Sequence, residues 1–277
     1  MKIKLAQPVL KWVGGKRQLL PEIKKHIPKN VTTYYEPFVG GGAVLFDIQP
    51  TKVVINDINE ELINLYKVVK DDVEILIEEL KKHKNESEYF YQIRNLDRDN
   101  DVYQRMSEVE KAARILYLNK TCYNGLFRVN NAGEFNTPFG KYTNPNIVND
   151  ITLRAVNKYF NKTQIEFRNC DFEDAVRGIR KGNFVYFDPP YDPVSDSSNF
   201  TGYTKGGFDK EQQIRLKKLC DKLHSKGIKF LLSNSATDFI KDLYKDYTIE
   251  IVNAKRAINS NGNKRGEVAE VLVKNYE

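Results

Sequence analysis

A short apolar run that stops at a carboxylate and two prolines places the strongest constraint on how this chain folds. Residues 184–187 (FVYF) have the composition of a buried strand, and Asp188, Pro189, Pro190 and Tyr191 follow at once. Proline has no N–H to donate to a sheet ladder, so the strand must end here. Because ligands of an open α/β sheet bind at the carboxyl ends of its strands, the pattern predicts a binding site at this edge.

The groups at this edge suit a planar amine on an aromatic ring. The Asp188 carboxylate and the Pro189 carbonyl can accept both hydrogens of such an amine, while Tyr191 stacks on the ring. The lone pair of an adenine amine is delocalised, and this arrangement favours the pyramidal geometry needed to attack an electrophilic methyl group. The alternative is a proline-terminated strand with a satisfied Asp cap, and the tetrapeptide alone leaves both interpretations open.

Composition indicates a packed globular chain with a possible polyanionic partner. The 277 residues suffice for one large domain or a domain with an insert, and 40% hydrophobic residues argue against disorder. The net charge of +7 is compatible with nucleic acid but is weak support by itself. Three cysteines without metal-ligand spacing predict a reducing compartment and no metal site, and no apolar run reaches membrane length. We therefore expect a soluble cytoplasmic protein.

A glycine pair and a lysine precede the first predicted helix. Trp12 is followed by Gly14, Gly15 and Lys16, and an amphipathic segment then runs to about residue 28. Backbone N–H groups and a cation at a helix start can meet an anion. The spacing does not match a nucleotide P-loop, and a plain turn before a surface helix is the alternative.

A glycine-rich turn then links a predicted strand to a helix. Residues 33–36 are followed by the glycine run 40–42, and the next apolar run, 53–55, ends just before Asp57. An acidic residue at the tip of the second strand can bind ribose hydroxyls. Leu45 breaks the full dinucleotide fingerprint, so an adenosine-containing cofactor without a pyrophosphate fits better than NAD.

The pattern changes between residues 59 and 163. Strand–helix alternation stops, which predicts a mostly helical insert in an α/β core. Within it, alternation around residues 131–133 predicts a β-hairpin whose sides carry aromatic residues, asparagine, arginine and lysine, the mixture that reads bases. A purely structural hairpin is the alternative. The predicted helices of the insert are 60–70, 72–82 and 106–118.

The α/β rhythm resumes with a predicted strand at 165–168. Asp171 and Phe172 follow it, where the carboxylate can accept from a purine amine while the ring packs on the purine. A helix N-cap is the alternative for Asp171.

The remaining segments are a loop, a helix and three strands. The Ser-, Gly- and Asn-rich residues 192–208 predict a mobile lid over the active edge. A helix at 210–226 and a strand at 229–232 follow. Two further strands flank the basic loop 259–265, which is either a solvated surface or a contact to phosphates.

The ordered set of motifs resembles that of the amino-group DNA methyltransferases. Residues 12–16, 36–42, Asp57, Asp171 and 188–191 occur in the order of the alpha arrangement. The similarity extends over nearly the whole chain to the Dam-type DNA adenine methylases, especially those of DpnII-type restriction–modification systems. The further matching blocks are 11–16, 123–128, 135–140 and 199–203.

The resemblance implies a fold, a reaction and partners. The fold would be a Rossmann-like, doubly wound methyltransferase core, formed by residues 1–58 and 164–277, with a target-recognition insert at 59–163. The donor would be S-adenosylmethionine, and the acceptor a flipped adenine in 5′-GATC-3′ of double-stranded DNA. A cognate restriction endonuclease that acts separately is left open, and no oligomer is implied.

The resemblance also assigns roles to residues. Asp57 would hold the donor's ribose, Asp171 and Phe172 its adenine, and Asp188 with Tyr191 the target base. The full cofactor set is Trp12, Lys16, Glu36, Pro37, Phe38, Gly40, Asp57, Asp171, Phe172 and Asp188. The catalytic set is Asp188, Pro189, Pro190 and Tyr191.

The DNA-contacting residues implied by the resemblance lie mainly on the hairpin. Tyr123 resembles the family residue that wedges into the recognition site, with Asn124 beside it. Lys11 resembles a residue that contacts a guanine, and Tyr203 resembles one that closes on the flipped base. The implied readers of base pairs are Leu126, Arg128 and Pro138. The sequence departs from the family pattern at the triple glycine, at Phe127 and at Thr137. None of these positions is a residue proposed to read a base pair.

We expect direct in-line methyl transfer without a covalent enzyme intermediate, since no cysteine follows a proline as in C5-cytosine methylases. One rival is an amino-methyltransferase that acts on RNA or cytosine. A DNA-binding protein with a vestigial methylase fold is a second, and an NAD oxidoreductase, disfavoured by Leu45, is a third.

Overall fold

Short apolar runs assemble into one seven-stranded sheet in the computed structural model, which describes residues 2–193, 207–255 and 267–277. The strands are β1 (Tyr34–Glu36), β2 (Lys52–Asn56), β3 (Gln164–Arg168), β4 (Phe184–Phe187), β5 (Lys229–Ser235), β6 (Thr248–Lys255) and β7 (Glu267–Lys274). Their order across the sheet is β3-β2-β1-β4-β5-β7-β6, and β7 alone among them runs antiparallel to both of its neighbours.

The strand order brings three predicted loop segments to one edge. β1 lies between β2 and β4, and all three are parallel, so the residues that follow them meet at the carboxyl edge. The chain leaves β1 for β2 on one side and returns to β4 on the other, which creates a crevice between β1 and β4. Pro37, Asp57 and Asp188 all follow strands at this edge.

The helices of the described residues cover both faces of the sheet. They are α1 (Leu20–His26), α2 (Ala43–Ile48), α3 (Glu60–Asp71), α4 (Val73–Lys81), α5 (Ser87–Asn95), α6 (Asn100–Arg105), α7 (Glu108–Thr121), α8 (Asp150–Lys162), α9 (Phe172–Ala175), α10 (Lys210–Ser225) and α11 (Asp238–Leu243). Tyr34 packs in a core cluster with residues of α3, α7 and α8, while its neighbour Tyr35 packs with α10 and α11. Successive strand residues thus feed opposite faces, as the pleat requires.

Between β2 and β3, where every residue is described, the chain is mainly helical. The helices predicted at 60–70, 72–82 and 106–118 are confirmed as α3, α4 and α7. α7 begins with a capping box formed by Ser107 and Glu110. Between residues 122 and 140 the chain reverses direction, and two single antiparallel bridges join its sides, Cys122 to Phe139 and Val129 to Phe135.

None of the described helices combines the length and the apolar character that crossing a membrane would need.

Candidate active site

Asp188 follows β4, and one of its carboxylate oxygens contacts two donors. Its Oδ1 lies 2.7 Å from Lys16 Nζ and accepts a hydrogen bond of 3.1 Å from Ser233 Oγ. Burial raises the pKa of Asp188, while Lys16 and Ser233 oppose that rise because both favour the ionised form. The Asp188 carboxylate therefore has two partners within the protein, and both come from distant parts of the chain.

Lys16 reaches this carboxylate from the glycine turn before α1. Its side chain is 5% exposed, donates to the Gly14 carbonyl at 2.6 Å, and lies 4.5 Å from the centre of the Tyr191 ring. The sequence predicted that this cation can meet an anion, and the anion it meets within the protein is Asp188. The predicted amphipathic helix begins later than expected, at Leu20.

A second carboxylate, this one buried, lies close enough to Lys16 for the cation to lower its pKa. Glu36 at the end of β1 is 2% exposed and accepts from Tyr34 Oη at 2.8 Å. Burial raises the pKa of Glu36 well above its ordinary value, the Asp188 carboxylate raises it further, and the Tyr34 hydrogen bond and Lys16 lower it. The Lys16 cation thus lowers the pKa of both Asp188 and Glu36 in a poorly solvated site.

Tyr191 is held by a residue of β7, which lies two strands from β4 in the sheet. Its hydroxyl donates to Glu270 Oε2 on β7 at 2.6 Å. Burial raises the pKa of the Tyr191 phenol well above its ordinary value, so the hydroxyl keeps its proton. Glu270 was not among the predicted site residues, because nothing local in the sequence connects it with Tyr191, 79 positions away.

A polar layer below the site holds the backbone of the tetrapeptide. Gln213 Nε2 donates to the Pro190 carbonyl at 2.9 Å, and Asn234 Nδ2 donates to Gln213 Oε1 at 3.0 Å. Asn234 Oδ1 in turn accepts from the Asp192 N–H at 3.1 Å. Pro189 is itself buried, so this segment is held from below while Asp188 and Tyr191 remain partly exposed.

The glycine turn brings together three predicted cofactor residues. The Gly40 N–H donates to Asp57 Oδ2 at 3.0 Å, and an added Cβ at Gly40 would lie 2.7 Å from Trp12 Cδ1. Asp57 Oδ1 also accepts from the Asn59 N–H at 3.0 Å. Burial raises the pKa of Asp57 to about 6, against these backbone hydrogen bonds, which lower it. Pro37, another predicted cofactor residue, accepts from Asn56 Nδ2 at 2.9 Å through its carbonyl.

An aromatic cluster occupies the same edge near β3. The Phe38 and Phe172 ring centres are 5.5 Å apart, and Phe208 lies 5.7 Å from Phe38 and 5.8 Å from Phe172. Phe208 ends the segment 192–208 that was predicted as a lid, but it was not among the predicted cofactor residues.

Asp171 acts as a helix N-cap, the alternative weighed for it. Its Oδ1 accepts from the Glu173 N–H at 2.9 Å at the start of α9 and lies 3.0 Å from Arg215 Nη2. The Arg215 guanidinium also lies 4.9 Å from the centre of the Phe172 ring. Arg215 was missed because it sits on α10, where its sequence context resembles an ordinary surface helix.

The predicted DNA-contacting residues of the N-terminus and the insert lie side by side. Asn119 ties them together, because it pairs with the Lys11 N–H and carbonyl at 2.8 Å each and donates to the Gly125 carbonyl at 3.0 Å. Trp12 stacks on Phe127 with ring centres 4.8 Å apart. The exposed Lys11 side chain thus lies beside the segment that carries the other predicted contacts.

Several of these predicted contacts are accessible. Tyr123 is 57% exposed, and Asn124 is exposed with a backbone φ of +57°. Pro138 is exposed and accepts the Tyr123 N–H at 2.8 Å, while Leu126 is half-buried. Arg128 donates to the Asn136 carbonyl at 3.0 Å, and its buried Nε has no partner among the described residues.

Part of the predicted machinery lies outside the described residues. This applies to Tyr203, to residues 194–206 of the proposed lid, and to the basic loop 259–265.

The fold and the edge chemistry define a class of protein. A mixed sheet of this strand order, with Asp-Pro-Pro-Tyr after β4 and an acidic residue after β2, is consistent with a methyltransferase fold. The sequence model of the D12 class N6 adenine-specific DNA methyltransferase family matches residues 12–258 of the chain. The chain belongs to this family, and it is an adenine-specific DNA methyltransferase.

Alignments with named relatives cover almost the full length of the chain. The Type II methyltransferase M1.LlaDCHI of Lactococcus lactis subsp. cremoris is 46% identical over 98% of this chain and 95% of its own. The DNA adenine methylase of Salmonella typhi is 36% identical over 95% of this chain and 93% of its own. That of Escherichia coli strain K12 is 35% identical with the same coverage.

Proposed function

We propose that this enzyme transfers a methyl group from S-adenosylmethionine to the 6-amino group of an adenine flipped out of double-stranded DNA, within 5′-GATC-3′. The observation that carries the proposal is the anchored Asp188 carboxylate at the end of β4, beside the Pro189 backbone and the Tyr191 ring. Few groups other than a planar amine on an aromatic ring need a carboxylate, a carbonyl and a π-face together.

The cofactor is supported by the fit of the neighbouring groups. An added Cβ at Gly40 would clash with Trp12, so the glycine lets the Trp12 ring pack against the turn that also contacts Asp57. Asp57 keeps lone pairs beyond its two backbone bonds and can accept from ribose hydroxyls. The rings of Phe38 and Phe172 provide an apolar surface for an adenine, with Asp171 beside it. Bound S-adenosylmethionine would supply an electrophilic methyl group on a sulfonium.

The remaining predicted cofactor residues line the same edge. Lys16 and Glu36 provide a cation and a carboxylate next to Asp188, which suits the ammonium and carboxylate of an amino acid moiety. Pro37 continues β1 toward them.

In the proposed mechanism the protein positions the amine. Asp188 and the Pro189 carbonyl accept its two hydrogens, and Tyr191 packs on the base. Because the Asp188 carboxylate is fixed before the base arrives, little reorganisation accompanies the reaction. Pro190 and its partners keep this backbone rigid, and no covalent intermediate with the enzyme is required.

The recognition of DNA is proposed for the insert 59–163, on a core of residues 1–58 and 164–277. Arginine and lysine are suited to guanine, and leucine or proline can touch a thymine methyl group. The proposed contacts are Lys11, Tyr123, Asn124, Leu126, Arg128, Pro138 and Tyr203. The grouping of Lys11 with residues 123–125 around Asn119 supports a common DNA-facing surface.

We also infer a cellular setting for the enzyme. The name of the lactococcal relative favours a restriction–modification system, in which a separate endonuclease would share the recognition sequence. The three cysteines are free thiols, which favours the cytoplasm.

The test uses S-adenosylmethionine with a radiolabelled methyl group and two duplexes that differ only in GATC or GTAC. We expect label in adenine of the GATC duplex alone. Label in both would keep the reaction and remove the proposed specificity, and binding without label would favour the vestigial alternative. The matched variant Asp188→Asn keeps the shape of the side chain, and we expect it to bind DNA while losing at least about a hundredfold in turnover.

A further inference from the structure

Ser233 is a buried hydroxyl that contacts the key carboxylate of the site. It lies on β5, next to β4 in the sheet, and is 0% exposed. Its Oγ lies 3.1 Å from Asp188 Oδ1 and 2.9 Å from Tyr186 Oη. A completely buried serine between a tyrosine and an aspartate forms a continuous hydrogen-bonded chain that ends at the active carboxylate.

The direction of this chain follows from elementary chemistry. An ionised carboxylate only accepts hydrogen bonds, so Ser233 must donate its single proton to Asp188. Ser233 then has only lone pairs to offer to Tyr186, which must donate to it. Burial raises the pKa of Tyr186 well above its ordinary value, so this phenol retains the proton it donates. The chain therefore runs from Tyr186 to Ser233 to Asp188.

The hydrogen-bonded chain and Lys16 contact the same oxygen of Asp188. Both the ammonium of Lys16 and the hydroxyl of Ser233 contact Oδ1, and they come from the N-terminal turn and from β5. Two donors from separate elements restrict rotation of the carboxylate more than either one alone. The Ser233 contact is the more rigid of the two, because a serine has one side-chain torsion and the lysine has four.

We propose that Ser233, held by Tyr186, is a positioning residue for methyl transfer, which pins Asp188 Oδ1 so that Oδ2 is presented to the target amine. The proposal rests on the proposed function of Asp188 as an acceptor for that amine. It concerns residues of β4 and β5 and assigns no direct contact between Ser233 and any substrate.

Removal of the serine hydroxyl should affect the chemical step. In Ser233→Ala, we expect the single-turnover rate to fall about 10- to 100-fold, the loss expected for a hydrogen bond to a charged group. The affinities for S-adenosylmethionine and for DNA should change less than about threefold. Tyr186→Phe leaves Ser233 in place but removes its donor, so we expect a smaller loss of about three- to tenfold.

The dependence of the rate on pH separates positioning from general damage. The Ser233 hydrogen bond favours the ionised form of Asp188, so its loss raises the pKa of that carboxyl. The acidic limb of the single-turnover profile should therefore move to higher pH in Ser233→Ala. Within the part of the chain that the structure describes, the other charged or titratable groups that face this region are Lys16, Glu36, Tyr186, Tyr191 and Glu270, and all are retained in that variant.

The experiment measures single-turnover methylation of a GATC duplex between pH 5 and 9, with thermal unfolding of each variant. Ser233→Thr retains the hydroxyl and should recover most of the rate and the wild-type acidic limb. The control Ser225→Ala removes an exposed hydroxyl that donates to the Lys222 carbonyl at the end of α10, away from Asp188, and should match the wild type.

Each outcome decides the proposal. A slow Ser233→Ala with a displaced acidic limb, rescued by threonine, supports it. A wild-type rate and profile in Ser233→Ala would overturn it, and so would an equal loss in the threonine variant at unchanged stability. If Ser233→Ala does not fold, Tyr186→Phe decides the question by the same profile. Failure of the wild type to label GATC would instead overturn the proposed function.

Discussion

The ammonium group of Lys16 lies 2.7 Å from Asp188 Oδ1 and directly faces the Tyr191 ring, 4.5 Å from its centre. Glu36 is close enough for both charges to alter its pKa. The buried Glu36 carboxylate at the end of β1 and the partly exposed Asp188 carboxylate after β4 are therefore balanced by one cation, which comes from the turn before α1.

Substitution of Lys16 should change the pH dependence of the enzyme. In Lys16→Met the pKa values of Asp188 and Glu36 should rise, since the cation lowers both. We expect the acidic limb of the pH–rate profile to move to higher pH, and turnover at pH 7 to fall about tenfold or more. Lys24→Met, which removes an ion pair with Asp47 on the surface, is the control. An unshifted profile would contradict the shared-cation interpretation.

Gly40 should not tolerate a side chain. Its φ of +47° is strained for alanine, and the added Cβ would lie 2.7 Å from Trp12. Gly178 has a φ of +80° and nothing within 4 Å of an added Cβ, so Gly178→Ala shares the backbone strain without the clash. We expect Gly40→Ala to lower the free energy of unfolding by about 1–3 kcal/mol more than Gly178→Ala. Denaturant titration measures this difference, and calorimetry should show weaker cofactor binding in Gly40→Ala only.

Asp57 should make the stability of the protein depend on pH. Its pKa rises from the ordinary value of 3.8 to about 6 on folding, so the native state binds more protons than the unfolded state between these values. Stability from this residue therefore falls as pH rises from about 4 to 6. In Asp57→Asn this loss is absent, so the free energy of unfolding of the variant should rise relative to that of the wild type as the pH increases from about 4 to 6. Urea unfolding at several pH values tests this, and parallel curves would refute it.

Tyr191 and Glu270 should act as one unit. Tyr191→Phe keeps the ring but removes the hydrogen bond of 2.6 Å, and Glu270→Ala removes its acceptor. We expect each to slow single-turnover methylation about three- to tenfold, and the double variant to be little worse than either, because both break the same contact. Fluorescence of 2-aminopurine at the target position reports how the base is held. Fully additive losses would mean that the contact does not position the ring.

Arg128 should contribute to sequence preference. In Arg128→Ala we expect discrimination at one base pair of the site to weaken by about 1–3 kcal/mol, while methylation itself persists. The ratios of kcat/KM for GATC and its single-base variants measure this. Arg177→Ala is the control, because Arg177 is 80% exposed and pairs only with Asp174 among the described residues. Unchanged ratios in Arg128→Ala would remove Arg128 from the proposed readers.

Local patterns in the sequence were sufficient to predict the strand that ends at Asp188 and its place in an α/β sheet. The strand before Asp188 ends where the prolines require, and the glycine turn lies against Asp57 as expected from their positions after β1 and β2. Helices α3, α4 and α7 were predicted because their apolar residues recur with helical period. Such features depend on neighbours in the chain, and a sequence reports those directly.

The extent of β5 illustrates what local patterns miss. The apolar run 229–232 predicted this strand with Ser233, Asn234 and Ser235 at its end, and in the structure these three polar residues are part of β5. These polar residues are buried because β7 pairs alongside them and because the Gln213 side chain and the Asp192 backbone satisfy them. Polar composition alone predicts a loop at this point.

The sequence by itself determined which chemical groups stand at the ends of β1, β2 and β4. Only the tertiary structure decided which partners those groups have: Lys16 and Ser233 for Asp188, Glu270 for Tyr191, and Arg215 for Asp171. The reason is physical, since these pairs are 44 or more positions apart and meet only through the order of the strands and the packing of helices upon them. Strand order is a property of the folded sheet as a whole, and no short stretch of sequence encodes it.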